Sequence, residues 1–137
     1  MAKKLLKLKK YIFVLFFLAS FTTFAQKKYP NNYFRSPLDI PLKISGTFGE
    51  LRNNHFHAGI DIKTNHRTGL KVYATADGYV SRIKVALWGY GKTIYITHPN
   101  GYTSVYAHLS KFGDGIQEYV KNIQYQKESY ETGNMYP

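Results

Sequence analysis

Cysteine is absent from this 137-residue chain, so no disulfide can staple the fold. Stability has to come from core burial, with or without the help of a bound metal. Acidic residues are scarce, 8 against 19 Lys and Arg, and the formal net charge is +11. No internal repeat and no low-complexity block occurs. The uncharged run Tyr11 to Phe24 falls short of the roughly 20 apolar residues that span a bilayer. At this length the chain has room for one domain of ordinary size and not for two.

What is present begins with a leader. Met1 to Lys10 carries five lysines and no acid, the uncharged run follows, and Thr23-Phe24-Ala25 places small residues where a signal peptidase reads. Residues 1–25 are therefore expected to be a cleaved signal peptide. The product would start at Gln26 and be exported to the periplasm, the cell envelope or the exterior, touching the membrane only through the leader before cleavage. No cysteine near the cleavage site could take a lipid anchor. Removing the five leader lysines leaves 14 basic against 8 acidic residues, a net +6. These charges are spread without an aromatic-interleaved cluster, so nucleic acid is not an expected partner, whereas a polyanionic envelope would attract them.

Residues 26–37, with Pro30 and Pro37, read as a flexible lead-in, and residues 38–137 as the folded domain. Strand patterns fall at Leu42 to Phe48, His55 to Lys63, Leu70 to Ala76, Tyr79 to Leu87 and Thr93 to His98, with turn signals at Asp77-Gly78 and Gly89-Tyr90-Gly91. Ile116, Val120 and Ile123 recur at helical spacing, and Asp114 with Gln117 forms a capping box for a short packing helix. Glu128 to Pro137 has little hydrophobic content and no recognisable strand. The class is mainly β, antiparallel, with one short helix.

Asn100-Gly101 is the strongest signal for a two-residue type I′ hairpin. That loop would pair Ile96 with Val105 and Ile94 with Ala107 on one apolar face. Thr93, Tyr95 and Thr97 would then face Ser104, Tyr106 and His108 on the other. His108 would lie on the polar, tyrosine-rich side, either as a capped strand-end histidine or as a functional group.

The segment His57-Ala58-Gly59-Ile60-Asp61 carries the chemistry. In an extended chain, positions i and i+4 share a face, so His57 and Asp61 point one way while Phe56, Ala58, Ile60 and Ile62 point toward a core. Imidazole nitrogen and carboxylate oxygen are both ligands for first-row metals, and zinc accepts them readily.

Three stretches in order, Gly46 to Arg52, His55 to Ile62 and Val72 to Val80, resemble the lysostaphin-type (LytM-like) zinc endopeptidases. So do Gly89-Tyr90-Gly91-Lys92, His98-Pro99-Asn100-Gly101 and Tyr106-Ala107-His108-Leu109-Ser110. The resemblance covers Ile44 to about Gly115. It implies an antiparallel β domain with a groove, of the duplicated-hybrid-motif type, that cleaves peptide bonds in the peptides of peptidoglycan. His57 and Asp61 would be zinc ligands and His108 a catalytic histidine beside the activated water. His55 lacks the family spacing and is expected to line the groove or serve the structure. His66 and His98 are expected to be exposed.

One departure qualifies the resemblance. Family members take a third zinc ligand and a second catalytic histidine from a later His-x-His motif, and no histidine follows His108. A catalytic zinc ordinarily has three protein ligands plus water. The chain is thus expected to be a C-terminally truncated part of an exported zinc endopeptidase, inactive alone. The rival is a non-catalytic domain of the same fold that binds peptidoglycan or regulates cell-wall hydrolases.

Overall fold

Among the described residues, short alternating segments between turn residues become six strands. The computed structural model describes residues 31–137 together with Tyr11; the rest of the expected leader and the first part of the lead-in lie outside the described residues. The strands are β1 (Ile44–Gly46), β2 (Asp61–Ile62), β3 (Tyr79–Val85), β4 (Thr93–Thr97), β5 (Thr103–Tyr106) and β6 (Gly133–Met135), and a helix α1 (Asp114–Gln126) lies between β5 and β6. β1 and β2 form a two-stranded sheet; the others form a four-stranded sheet in the order β5-β4-β3-β6. Every pairing is antiparallel, and the protein is mainly β.

The β4–β5 hairpin uses a wider loop than Asn-Gly alone predicts. Tyr95 pairs with Val105 and Ile94 with Tyr106, one residue away from the expected register. The His98 carbonyl accepts the Gly101 N–H at 2.9 Å, the His98 N–H donates to Tyr102 O at 2.8 Å, and Gly101 adopts φ +83°. This is a three-residue loop closed by a left-handed glycine. Pro99 explains it, because it has no N–H to donate to Tyr102 across a two-residue loop, and its fixed negative φ suits the start of a type I turn. A one-residue slip reverses the faces of a strand. Ser104 and Tyr106 therefore share a face with Ile94 and Ile96, while Val105 joins Tyr95 and is 46% exposed.

On β3 the apolar residues Val80, Ile83 and Val85 are spaced by three and then two, which would put Val80 on the wrong face of a regular strand. The register shift between Val80 and Arg82 inserts one residue, Ser81, and restores the face. A row then crosses the sheet from Tyr106 through Ile94 and Ile83 to Met135. Ile83, Val85, Phe112, Val120 and Met135 form the buried core, with Ile116, Tyr119 and Ile123 of α1 packed against it. Each such side chain is worth roughly 1.5–3 kcal/mol of burial. The helix is the packing element its periodicity predicts. Its cap differs: Gly113 is the N-cap without a side-chain bond, and Gln117 Oε1 instead accepts the Phe112 N–H at 3.2 Å.

Two further segments depart from the sequence reading. Leu70 to Ala76 joins no sheet; its Tyr73 N–H donates to Pro37 O at 2.9 Å and its Thr75 O accepts the Arg35 N–H at 2.7 Å. It pairs with the end of the lead-in, and Leu38, the residue that follows, is buried. Asp39, hydrogen-bonded to the Tyr73 phenol, raises that group's pKa above its ordinary value. Near the C-terminus, Gly133–Met135 forms β6 against β3. Its strand signal is weak in sequence because Gly and Asn disfavour strands, and the buried Met135 supplies the packing that outweighs this.

Candidate functional site

The segment that carries His57 is not a regular strand. Strand geometry begins only at Asp61, and the chain bends at Gly59. This departure creates the site. Four residues of extended chain span about 13 Å, too far for contact, whereas His57 Nε2 lies 3.3 Å from Asp61 Oδ1. The opposite face is not a core face: Phe56 is 69% and Ile60 52% exposed. The core belongs to the four-stranded sheet instead, because two short strands cannot enclose one.

A small turn-back of residues 49–57 sets the position of His57. The Gly49 N–H donates to His57 O and the His57 N–H to Glu50 O, both at 2.8 Å, and Leu51 bridges to Phe56. The His57 ring then meets the Thr47 carbonyl through Nδ1 at 3.1 Å. A carbonyl only accepts, so Nδ1 carries the proton and Nε2 is the free nitrogen of the neutral ring. Metal-ligating histidines are oriented in this manner, by a carbonyl on the second nitrogen.

In the neutral ring, the Nε2 lone pair and the Asp61 carboxylate face each other across 3.3 Å with no donor of their own between them. A proton or a metal cation reconciles them. The donor set and its tautomer fit a first-row divalent ion, with His57 and Asp61 as the residues that would hold it. Among the described residues no group of three His, Cys, Asp or Glu side chains is arranged for a metal.

Asp61 is also held from its other side. Arg52 donates to Asp61 Oδ2 at 2.8 Å and to Glu50 Oε2 at 3.3 Å, and Glu50 Oε2 accepts the Thr47 N–H at 3.1 Å. Gly46 makes this possible, because a Cβ there would collide with the Asp61 carboxylate and with Arg52. Nothing in the local sequence pattern assigns a role to Thr47, Glu50 or Arg52. The only signal was their presence in the Gly46 to Arg52 motif; the Arg52–Asp61 separation of nine residues has no periodicity to reveal it.

His108 makes its contacts with Tyr90. It follows the end of β5 in a left-handed conformation, φ 55°, exposed to solvent. Its N–H donates to Tyr90 O at 3.0 Å, and its ring meets Tyr90 edge-on at 6.4 Å. A non-glycine residue held there costs about 1–2 kcal/mol. The face assigned to it by the hairpin register does not hold, since the strand alternation has ended before it. His55 is exposed and bonds Asn54, and His66 is exposed. His98, expected at the surface, is 2% exposed. Its Nδ1 meets Asp77 O at 2.8 Å and its Nε2 meets Ser104 Oγ at 2.9 Å, under the ring of Phe34. The wider hairpin loop turns it inward.

Residues 55–128, which contain His57, Asp61 and His108, match the model of peptidase family M23. Proteins named DD-carboxypeptidase/endopeptidase Mpg from Neisseria meningitidis serogroup B and from Neisseria gonorrhoeae are each 39% identical over 75 residues, covering 51% of this chain and 17% of the relative. A protein of Haemophilus influenzae named as an uncharacterized metalloprotease is 31% identical over 83 residues, 56% of this chain and 17% of its own length. The chain thus spans about a sixth of the curated relatives it matches. No solved structure matches.

Proposed function

This chain belongs to peptidase family M23, and we propose that it is a part of an exported zinc endopeptidase that hydrolyses peptide bonds of peptidoglycan. The observation that carries this reading is the His57 Nε2 to Asp61 Oδ1 approach of 3.3 Å, with Nδ1 committed to Thr47. The substrate class is supported by the names of the Neisseria relatives, and a metal by that of the Haemophilus relative. Export is supported by the lysine-rich, then uncharged, leader pattern of residues 1–25. No helix among the described residues is long and apolar enough to cross a membrane.

When bound, zinc supplies Lewis acidity toward the scissile carbonyl and an acidified water. His57 presents Nε2 and Asp61 presents Oδ1 to the ion. The family resemblance assigns His108 to the chemistry, where its imidazole would move a proton or stabilise charge that develops during the reaction. These residues provide two ligands, so a third has to join for a catalytic centre of ordinary composition.

The test is zinc titration of the purified chain with His57→Ala as control, followed by incubation with purified peptidoglycan. One zinc per chain, lost in the variant, supports the site; zinc binding indifferent to His57 would refute it. The absence of a third ligand among the described residues favours one second reading, a non-catalytic domain that binds peptidoglycan. Zinc-independent retention on peptidoglycan without hydrolysis would select it.

A further inference from the structure

The geometry points to Arg52 as the residue that sets which metal the His57–Asp61 pair accepts, by withholding carboxylate oxygens from the ion. This inference rests on the metal-site reading above. Its basis is a closed circuit of contacts. His57 Nδ1 meets Thr47 O at 3.1 Å, and the Thr47 N–H donates to Glu50 Oε2 at 3.1 Å. Arg52 joins that same Oε2 at 3.3 Å to Asp61 Oδ2 at 2.8 Å, and Asp61 Oδ1 returns to His57. Gly46, buried beneath the Arg52–Asp61 contact, has no side chain that would displace it.

Arg52 therefore occupies one oxygen of each of the two carboxylates beside His57. Asp61 is left with a single oxygen facing the imidazole, and Glu50 is turned toward the guanidinium. One nitrogen and one oxygen suit zinc, whereas hard ions such as Mn2+ and Ca2+ take six or more oxygens, often from bidentate carboxylates. Without Arg52, Asp61 would be free to bind through both oxygens, and Glu50, then held only by the Thr47 N–H, could turn toward the ion, which makes a more oxygen-rich site. The guanidinium does not simply repel cations, because Glu50 balances its charge. Arg52 acts through Asp61 and Glu50, so it is a positioning residue.

The experiment compares the purified chain with Arg52→Met and Arg52→Lys. Affinities for Zn2+ and Mn2+ alone are read by calorimetry, and the visible spectrum of the Co2+-loaded protein is read beside them. The Zn2+ affinity is expected to fall about tenfold or more in Arg52→Met, the range for loss of an outer partner of a metal ligand, while the Mn2+ affinity falls less or rises, so the preference narrows. The Co2+ bands should weaken as coordination number rises. Arg52→Lys keeps the charge but not the planar fork that serves two carboxylates, and should change both readouts in the same direction by less. An unaltered metal preference and Co2+ spectrum in both variants would overturn this inference alone. Failure of the unsubstituted chain to bind either metal would overturn it together with the reading beneath it.

Discussion

His57 and Asp61 face each other at 3.3 Å as two acceptors, since the His57 ring proton is committed to the Thr47 carbonyl. Asn at position 61 resolves that conflict without a cation: its amide donates to Nε2 while its oxygen still accepts from Arg52. Metal-free Asp61→Asn should be as stable as the parent or gain up to about 1 kcal/mol. Zinc at 100 times its Kd should stabilise the parent by about 2.7 kcal/mol and the variant not at all. Thermal melts with and without zinc check both, and a zinc-induced rise in the variant would contradict the assignment of Asp61.

Gly46 is the clearance on which the Arg52–Asp61 contact depends. Gly46→Ala should cost about 1–3 kcal/mol, the range for overpacking a filled site, and should weaken zinc binding at the same time. Denaturant unfolding and calorimetry on one preparation measure the two effects; a stable variant with parental zinc affinity would show the contact to be incidental.

The histidines outside the site separate by burial. His98→Ala removes a ring with polar partners on both nitrogens, at Asp77 O and Ser104 Oγ, and should destabilise the protein by about 1–3 kcal/mol. His55→Ala, at an exposed position whose ring bonds Asn54, should change stability by less than about 0.5 kcal/mol. Equal unfolding midpoints for the two variants would contradict the inward turn of His98.

His108 holds a left-handed conformation that glycine adopts freely. His108→Gly should therefore raise stability by about 0.5–1 kcal/mol, after the extra chain entropy of glycine is subtracted from the relieved strain. Zinc affinity should stay within about twofold, because His108 takes no part in the His57–Asp61 contact. A stability loss would mean that the ring's contact with Tyr90 outweighs the backbone strain.

Much of this protein is legible from sequence where the signal is local. Alternation and turn residues placed β3 and β4 to within two residues, and helical spacing placed α1. The His57-x-x-x-Asp61 spacing names the imidazole and the carboxylate that the fold sets 3.3 Å apart. Signals of this kind act over a few residues, and the physics that produces them, side-chain alternation and backbone φ, is written in the same few residues.

Tertiary structure decided the rest. The extended reading of residues 55–63 held His57 and Asp61 apart; the bend at Gly59 brings them together. Asn100-Gly101 indicated a two-residue loop, and Pro99 shifted it by one, which exchanged the faces of β5 and buried His98. Met135 made a strand of a segment with poor strand propensity by entering the core. Arg52 reached Asp61 across nine residues of chain. In each case the deciding contact joins residues distant in sequence, or a balance between a local preference and burial, and the free energy of such a contact exists only once the fold has brought its partners together.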